Sequence, residues 1–131
     1  MDWSPLIDAA VAVRIHAYAP FSGFKVGAAV RTRAGLIFSG CNVENRSFGA
    51  TICAERFAVG SAISAGETGI EGVVVVTDTT PPSPPCGLCL QVLAEFGDGD
   101  LPILLLNLQG ERLEARLGDF LPHPFQLPDP N

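Results

Sequence analysis

Apolar residues recur along this chain in two rhythms. Leu6, Ile7, Ala10 and Val11, with Arg14 after them, follow near-helical spacing. So do Ala54, Phe57, Ala58, Ala62 and Ile63, and then Leu88, Val92, Leu93 and Phe96. This predicts three helices, each with one face toward a core. Ser4-Pro5 supplies an N-cap and a proline at the first helical position, Pro20 is expected to end the first helix, and the second runs to Gly66. Between the helices lie short β-prone runs at residues 26–32, 36–41, 72–77, 102–108 and 112–116. Four consecutive valines, Val73 to Val76, predict a strand buried on both faces. Arg33-Ala34-Gly35 reads as a hairpin turn, and Asn107-Leu108-Gln109-Gly110 as a turn into the shorter run 112–116.

The predicted order is helix, two strands, helix, strand, helix, two strands. Layer rules turn that order into an α/β fold: a three-layer α/β/α arrangement around a single mixed five-stranded sheet. Residues 79–85 contain four prolines, which excludes regular structure there. The tail from Leu121 holds four more and is expected to lie extended on a surface.

With 131 residues, 47% of them hydrophobic, the chain suits one compact domain over residues 1–131. Its formal charge is −6 and Lys and Arg total only 8, so it lacks the basic stripe that grips a nucleic-acid backbone. A small molecule is the expected partner, not a nucleic-acid polymer. No charged start leads into an apolar signal segment, and no apolar run is long enough to span a bilayer. We therefore expect no membrane partner and a cytoplasmic location. Four cysteines in such a chain read as reduced thiols.

The chemistry concentrates in Cys53-Ala54-Glu55 and Pro85-Cys86-Gly87-Leu88-Cys89. Both stretches fall at predicted helix starts, where free N–H groups favour thiolate over thiol. Three thiolates with a nearby carboxylate fit a catalytic metal site, which keeps one coordination position open for water. Glu55 then serves as a general base, and Arg56 offsets the negative charge of three sulfurs. Two other readings of the cysteines stand beside this one. Cys86 and Cys89 alone make a C-x-x-C redox pair. Cys41 as a fourth ligand would close the site and leave a structural zinc.

Five stretches carry a resemblance: Ala17-Tyr18-Ala19-Pro20-Phe21-Ser22, Phe24-Lys25-Val26-Gly27-Ala28-Ala29, Gly40-Cys41-Asn42-Val43-Glu44-Asn45, Cys53-Ala54-Glu55-Arg56 and Pro85-Cys86-Gly87-Leu88-Cys89. In that order and spacing the chain resembles the small cytidine deaminases of nucleoside salvage. The resemblance implies one Zn2+ per subunit on Cys53, Cys86 and Cys89, with Glu55 shuttling protons. It implies that Asn42 and Glu44 hold the sugar hydroxyls, that Phe24 packs on the pyrimidine, and that the Ala54 backbone hydrogen-bonds the base. It also implies a homotetramer in which Phe48 and Phe125 complete a neighbour's site. The implied reaction is hydrolytic deamination of cytidine and 2′-deoxycytidine to the uridine nucleosides and ammonia. Three positions depart from the pattern. Leu90 stands where an arginine usual in three-cysteine members is expected, Phe48 where Tyr is frequent, and Arg46 where a small residue is usual.

Overall fold

The computed structural model describes residues 1–128. In chain order the elements are α1 (Ser4–Arg14), β1 (Gly27–Thr32), β2 (Ile37–Cys41), α2 (Ala54–Ser64), β3 (Ile70–Val76), α3 (Gly87–Phe96), β4 (Pro102–Leu106), β5 (Arg112–Arg116) and α4 (Leu117–Phe120). The strands form one mixed sheet in the order β2-β1-β3-β4-β5. β3 and β4 are parallel, and every other pair is antiparallel. The expected three-layer α/β/α arrangement is present, with α1 on one face and α2 and α3 on the other.

Strand alternation produces the two cores. Val73, Val75, Ile103 and Leu105 point toward α2 and α3, where Ala58, Val59, Ala62 and Leu93 meet them. Val74, Val76, Leu104 and Leu106 point the other way, toward Trp3, Leu6 and Ala10 of the α1 layer. Burying each of these larger side chains contributes roughly 1.5–3 kcal/mol. β5 closes one edge with exposed Arg112, Glu114 and Arg116, charges that discourage pairing with another strand. Among the described residues no helix is long and apolar enough to cross a membrane.

Register decides where the loops emerge. Cys41, the last residue of β2, and Val76, the last of β3, both pair with Gly27 at the start of β1. β2 and β3 therefore run in the same direction and end at the same edge of the sheet. The segments leading from them into α2 and α3 emerge side by side, which brings two helix N-termini together.

Several boundaries differ from the sequence reading. α1 begins at Ser4 rather than Pro5, and Asp2 Oδ1 accepts the Ser4 amide at 3.1 Å. It ends at Arg14, well before Pro20, because the chain leaves the helix to bridge Val43 through Tyr18. β3 starts at Ile70, whose partner is Thr32 across a register shift, and β4 stops at Leu106. The short α4, with Gly118 inside it, gave no periodic signal. Residues 121–128 form neither helix nor strand, as expected of the tail, whereas Pro130 lies outside the described residues.

Candidate metal centre and its surroundings

Cys53 is the N-cap of α2 and Cys86 the N-cap of α3, each in extended backbone just before the first turn. Cys89 lies in the first turn of α3 and is buried. The three sulfurs lie within 4.8 Å of one another, a group that omits Cys41. Cys53 Sγ is 3.8 Å from Cys86 Sγ, and Cys86 Sγ is 3.4 Å from Cys89 Sγ. With Zn–S bonds of about 2.3 Å, tetrahedral geometry places sulfurs about 3.8 Å apart. The donor set and its spacing therefore fit zinc. Cys41 is held in β2 opposite Gly27, so the closed four-cysteine site does not form. The third thiol beside Cys86 and Cys89 also sets them apart from an isolated redox pair.

The sulfurs share protons unequally. Hydrogen bonding with Cys89 is the largest influence on Cys53 and, with Arg56 adding, brings its thiol down to about 5. The Cys89 thiol is pushed up, first by that same hydrogen bond and then by burial. Arg56 Nη2 lies 3.9 Å from Cys53 Sγ and donates to the Thr51 carbonyl at 3.0 Å. Leu90, at the position where the resemblance leads one to expect an arginine, is 7% exposed and packs in the core under α2 and α3. Arg56 is thus the guanidinium placed against these sulfurs.

Glu55 is the second helical residue of α2 and only 4% exposed. Burial raises its carboxyl to about 7, and the negative charge at Cys53 adds to this. A carboxyl held near neutrality exchanges protons readily with groups of similar basicity. Ala54, at the start of the same helix, is fully buried.

An isolated bridge ties this centre to the other candidate residues. Val43 pairs antiparallel with Ile52 through hydrogen bonds of 2.9 and 3.0 Å. In that register Asn42 falls opposite Cys53 and Glu44 opposite Thr51. Asn42 is 7% exposed, and both ends of its amide are engaged. Its Oδ1 accepts from the Val26 amide at 2.9 Å, and its Nδ2 donates to the Phe24 carbonyl at 2.7 Å. Glu44 Oε1 accepts the backbone amides of Phe21 and Ser22 at 2.9 and 3.1 Å, and the Ser22 hydroxyl donates to Oε2. The Ser22 hydroxyl bond, the largest influence, holds the Glu44 carboxyl below the ordinary carboxylate value.

Phe21, Ser22, Glu44, Asn45, Phe48 and Thr51 line a cleft of about 380 Å³, within the range of small-molecule sites. The ring of Phe48 meets Phe21 edge-on at 6.2 Å, yet Phe48 remains 78% exposed. Phe24 is also exposed. Phe125 sits elsewhere, across a groove of about 820 Å³ between α3 and the tail. It is 71% exposed and held by Gln91, whose amide donates to the Phe125 carbonyl at 3.0 Å and accepts its N–H at 3.1 Å. The structure thus gathers the cysteines, Glu55, Arg56, Asn42 and Glu44 in one region and leaves Phe125 in a separate groove. Sequence reasoning gave no role to Gln91, an unremarkable polar residue on a helix. Nor did it give one to Ser22, although the motif around it was legible.

The family model for the cytidine and deoxycytidylate deaminase zinc-binding region matches residues 3–105. The chain is 44% identical to a cytidine deaminase of Halalkalibacterium halodurans, an alignment covering 100% of this chain and 99% of that one. It is 43% identical to a cytidine deaminase of Sporosarcina psychrophila, covering 98% and 95%. The crystal structure of cytidine deaminase from Burkholderia pseudomallei superposes with a TM-score of 0.90 at 47% identity, covering 95% of this chain and 100% of that one. The chain belongs to the zinc-binding cytidine and deoxycytidylate deaminase family.

Proposed function

We propose that residues 1–131 form a single-domain, zinc-dependent cytidine deaminase that converts cytidine and 2′-deoxycytidine to the uridine nucleosides and ammonia, in pyrimidine salvage in the cytoplasm. The observation that carries this reading is a buried Glu55 at the N-terminus of the helix that Cys53 caps, beside a three-sulfur cluster with metal spacing. Relatives across the whole chain length that are themselves cytidine deaminases support it.

Cys53, Cys86 and Cys89 hold one Zn2+ per subunit. When bound, the metal with three protein ligands supplies an open position at which water becomes acidic enough to act as nucleophile. Glu55 would take up a proton from the attacking water and deliver it to ring N3. The C4–O bond forms as the ring takes up the proton. Glu55 would then take the remaining proton from the C4 hydroxyl and pass it to the exocyclic amine, so that C4=O forms as the C4–N bond breaks and ammonia leaves. Arg56 balances thiolate charge through Cys53, which limits how far the sulfurs weaken the metal as a Lewis acid.

Asn42 and Glu44 receive the sugar hydroxyls, Phe24 packs on the pyrimidine, and the Ala54 backbone hydrogen-bonds the base. A free base lacking the sugar leaves the polar pair unmatched and is disfavoured. A homotetramer in which Phe48 and Phe125 each complete a neighbour's site rests on the family resemblance, and the exposure of both rings leaves them free for such contacts. The net charge of −6 speaks against a polymer substrate.

The test is loss of cytidine ultraviolet absorbance with purified protein, alongside a zinc assay on the same sample. Turnover at about one zinc per chain, the stoichiometry of a three-ligand catalytic site, supports the reading. Stoichiometric zinc with no turnover of cytidine or 2′-deoxycytidine overturns it.

A further inference from the structure

The Glu44 carboxylate has four acceptor positions, two on each oxygen. Oε1 is filled by the backbone amides of Phe21 and Ser22. On Oε2 the Ser22 hydroxyl occupies one position. One lone pair on Oε2 has no partner among the described residues, and Glu44 lines the cleft together with Ser22, Asn45 and Phe48. Ser22 Oγ is itself oriented, because it accepts the Phe24 amide at 3.0 Å. A hydroxyl has a single proton, so that contact aims the Ser22 proton at Glu44. The same side chain thereby links two residues expected to touch the nucleoside, Glu44 and Phe24.

We infer that Ser22 is a positioning residue for sugar recognition: it fixes Glu44 as an acceptor with a single vacant position and sets that position against one substrate hydroxyl. This deepens the proposed function and rests on it, specifically on Glu44 meeting the sugar. Without Ser22, a second position on Oε2 opens to water, and the carboxylate rotates about its remaining backbone contacts. An acceptor with two open positions penalises a missing substrate hydroxyl less, because water fills the gap. Ser22 is exposed in a loop, so its replacement leaves the core untouched.

The experiment compares cytidine with 3′-deoxycytidine and, separately, with 2′-deoxycytidine, in wild type, Ser22→Ala, Ser22→Thr and Glu44→Gln. Zinc content and thermal midpoint are checked for each. Whichever analogue lacks the hydroxyl that Glu44 meets is discriminated against by the wild type. Ser22→Ala is expected to cut that discrimination about tenfold, the scale of one charge-assisted hydrogen bond. The loss appears in KM for cytidine, with kcat nearly constant. Ser22→Thr keeps the hydroxyl and restores the ratio, which a merely structural loop defect would not do. If Glu44→Gln leaves discrimination at the wild-type level, Glu44 does not read the sugar, and the role of Ser22 falls with it. If Glu44→Gln abolishes discrimination while Ser22→Ala retains it, the substrate reading stands and the Ser22 inference alone is overturned. A drop in kcat equal to the drop in kcat/KM for Ser22→Ala also overturns it.

Discussion

Gly40 of β2 lies so close to α2 that a β-carbon built on it would sit 2.7 Å from the Ala58 amide nitrogen. The Phe57 β-carbon and the Ala54 carbonyl oxygen would stand at 2.6 and 2.8 Å. Two of those three neighbours are backbone, which has no side-chain rotamer through which to yield. The missing side chain is what lets α2 lie directly on the sheet, and α2 carries Glu55 and, at its cap, Cys53. Gly40→Ala is therefore expected to push the helix outward. Overpacking of this kind costs about 1–3 kcal/mol, which lowers the thermal midpoint by roughly 4–12 °C in a domain of this size. Calorimetry checks it, and an unchanged midpoint refutes the close-approach argument. Gly27 plays the equivalent part on the other face, where an added β-carbon would meet the Ala10 carbonyl of α1.

That seating was beyond the reach of the sequence, and the contrast is instructive. Local patterns are visible in residue order. The valines of β3 alternate between two cores, so a four-residue apolar run announced a doubly buried strand. Apolar spacing put Cys53 and Cys86 at the starts of two predicted helices, and the structure makes each the N-cap. What places the two caps together is non-local: both Cys41 and Val76 pair with Gly27. Strand pairing depends on long-range contacts that no window of sequence contains. The bridge of Val43 to both Tyr18 and Ile52 is similar, since three distant segments meet there without any periodic signal. The three-cysteine group was legible because its chemistry is rare. The hydrogen-bond partners of Glu44 and Asn42 were not, because backbone amides leave no mark in a sequence.

In the proposed mechanism Glu55→Gln removes the proton carrier and little else. Glutamine is nearly isosteric, and the site is buried, so the packing of α2 is retained. Zinc stays at the wild-type stoichiometry, because the sulfurs supply the ligands. Turnover of cytidine falls about 10²–10⁴-fold, the usual share of general acid–base catalysis. Parallel zinc analysis and spectrophotometric rates check both halves. Turnover at the wild-type rate in the Glu55→Gln protein would remove Glu55 from the mechanism.

Metal removal has a structural consequence as well as a chemical one. The three sulfurs join residues from two helix starts, so zinc ties α2 to α3. A ligand that binds only the folded state adds about 4 kcal/mol when present at about a thousandfold its dissociation constant. Chelation should therefore lower the thermal midpoint, and zinc should restore it with a dependence on its free concentration. A midpoint indifferent to zinc would show that the cluster does not hold the metal.

Arg56→Ala tests charge compensation separately from catalysis. Its guanidinium stands by Cys53 and also holds the Thr51 carbonyl. Outer contacts of this kind are worth about 10–100-fold in metal affinity, and competition with a chromogenic chelator measures it. Arg56→Lys is expected to recover only part of the loss, because an ammonium on a flexible stem lacks the fixed planar group that holds Nη2 against both the Thr51 carbonyl and Cys53 Sγ. Wild-type zinc affinity in the alanine variant would mean that the helix termini suffice to offset the thiolates.

Asn42 has a structural duty and, in the proposed function, a sugar contact as well, and a pair of variants separates the two. Its amide bridges the Phe24 carbonyl and the Val26 amide, tying the loop before β1 to the segment after β2. Asn42→Ala strands a buried donor and a partly buried acceptor, a cost of about 1–3 kcal/mol. Asn42→Asp keeps an acceptor for Val26 but turns a carboxylate oxygen toward the Phe24 carbonyl where a donor stood. It also brings a charge into a residue site only 7% exposed. Aspartate is therefore expected to be the worse substitution at neutral pH, despite its closer shape. Urea unfolding of the zinc-bound proteins gives the order directly. If alanine shifts stability by less than about 0.5 kcal/mol, the range of an ordinary surface change, the bridge is not a significant support. Any loss of cytidine affinity in that variant would then come from direct contact with the sugar.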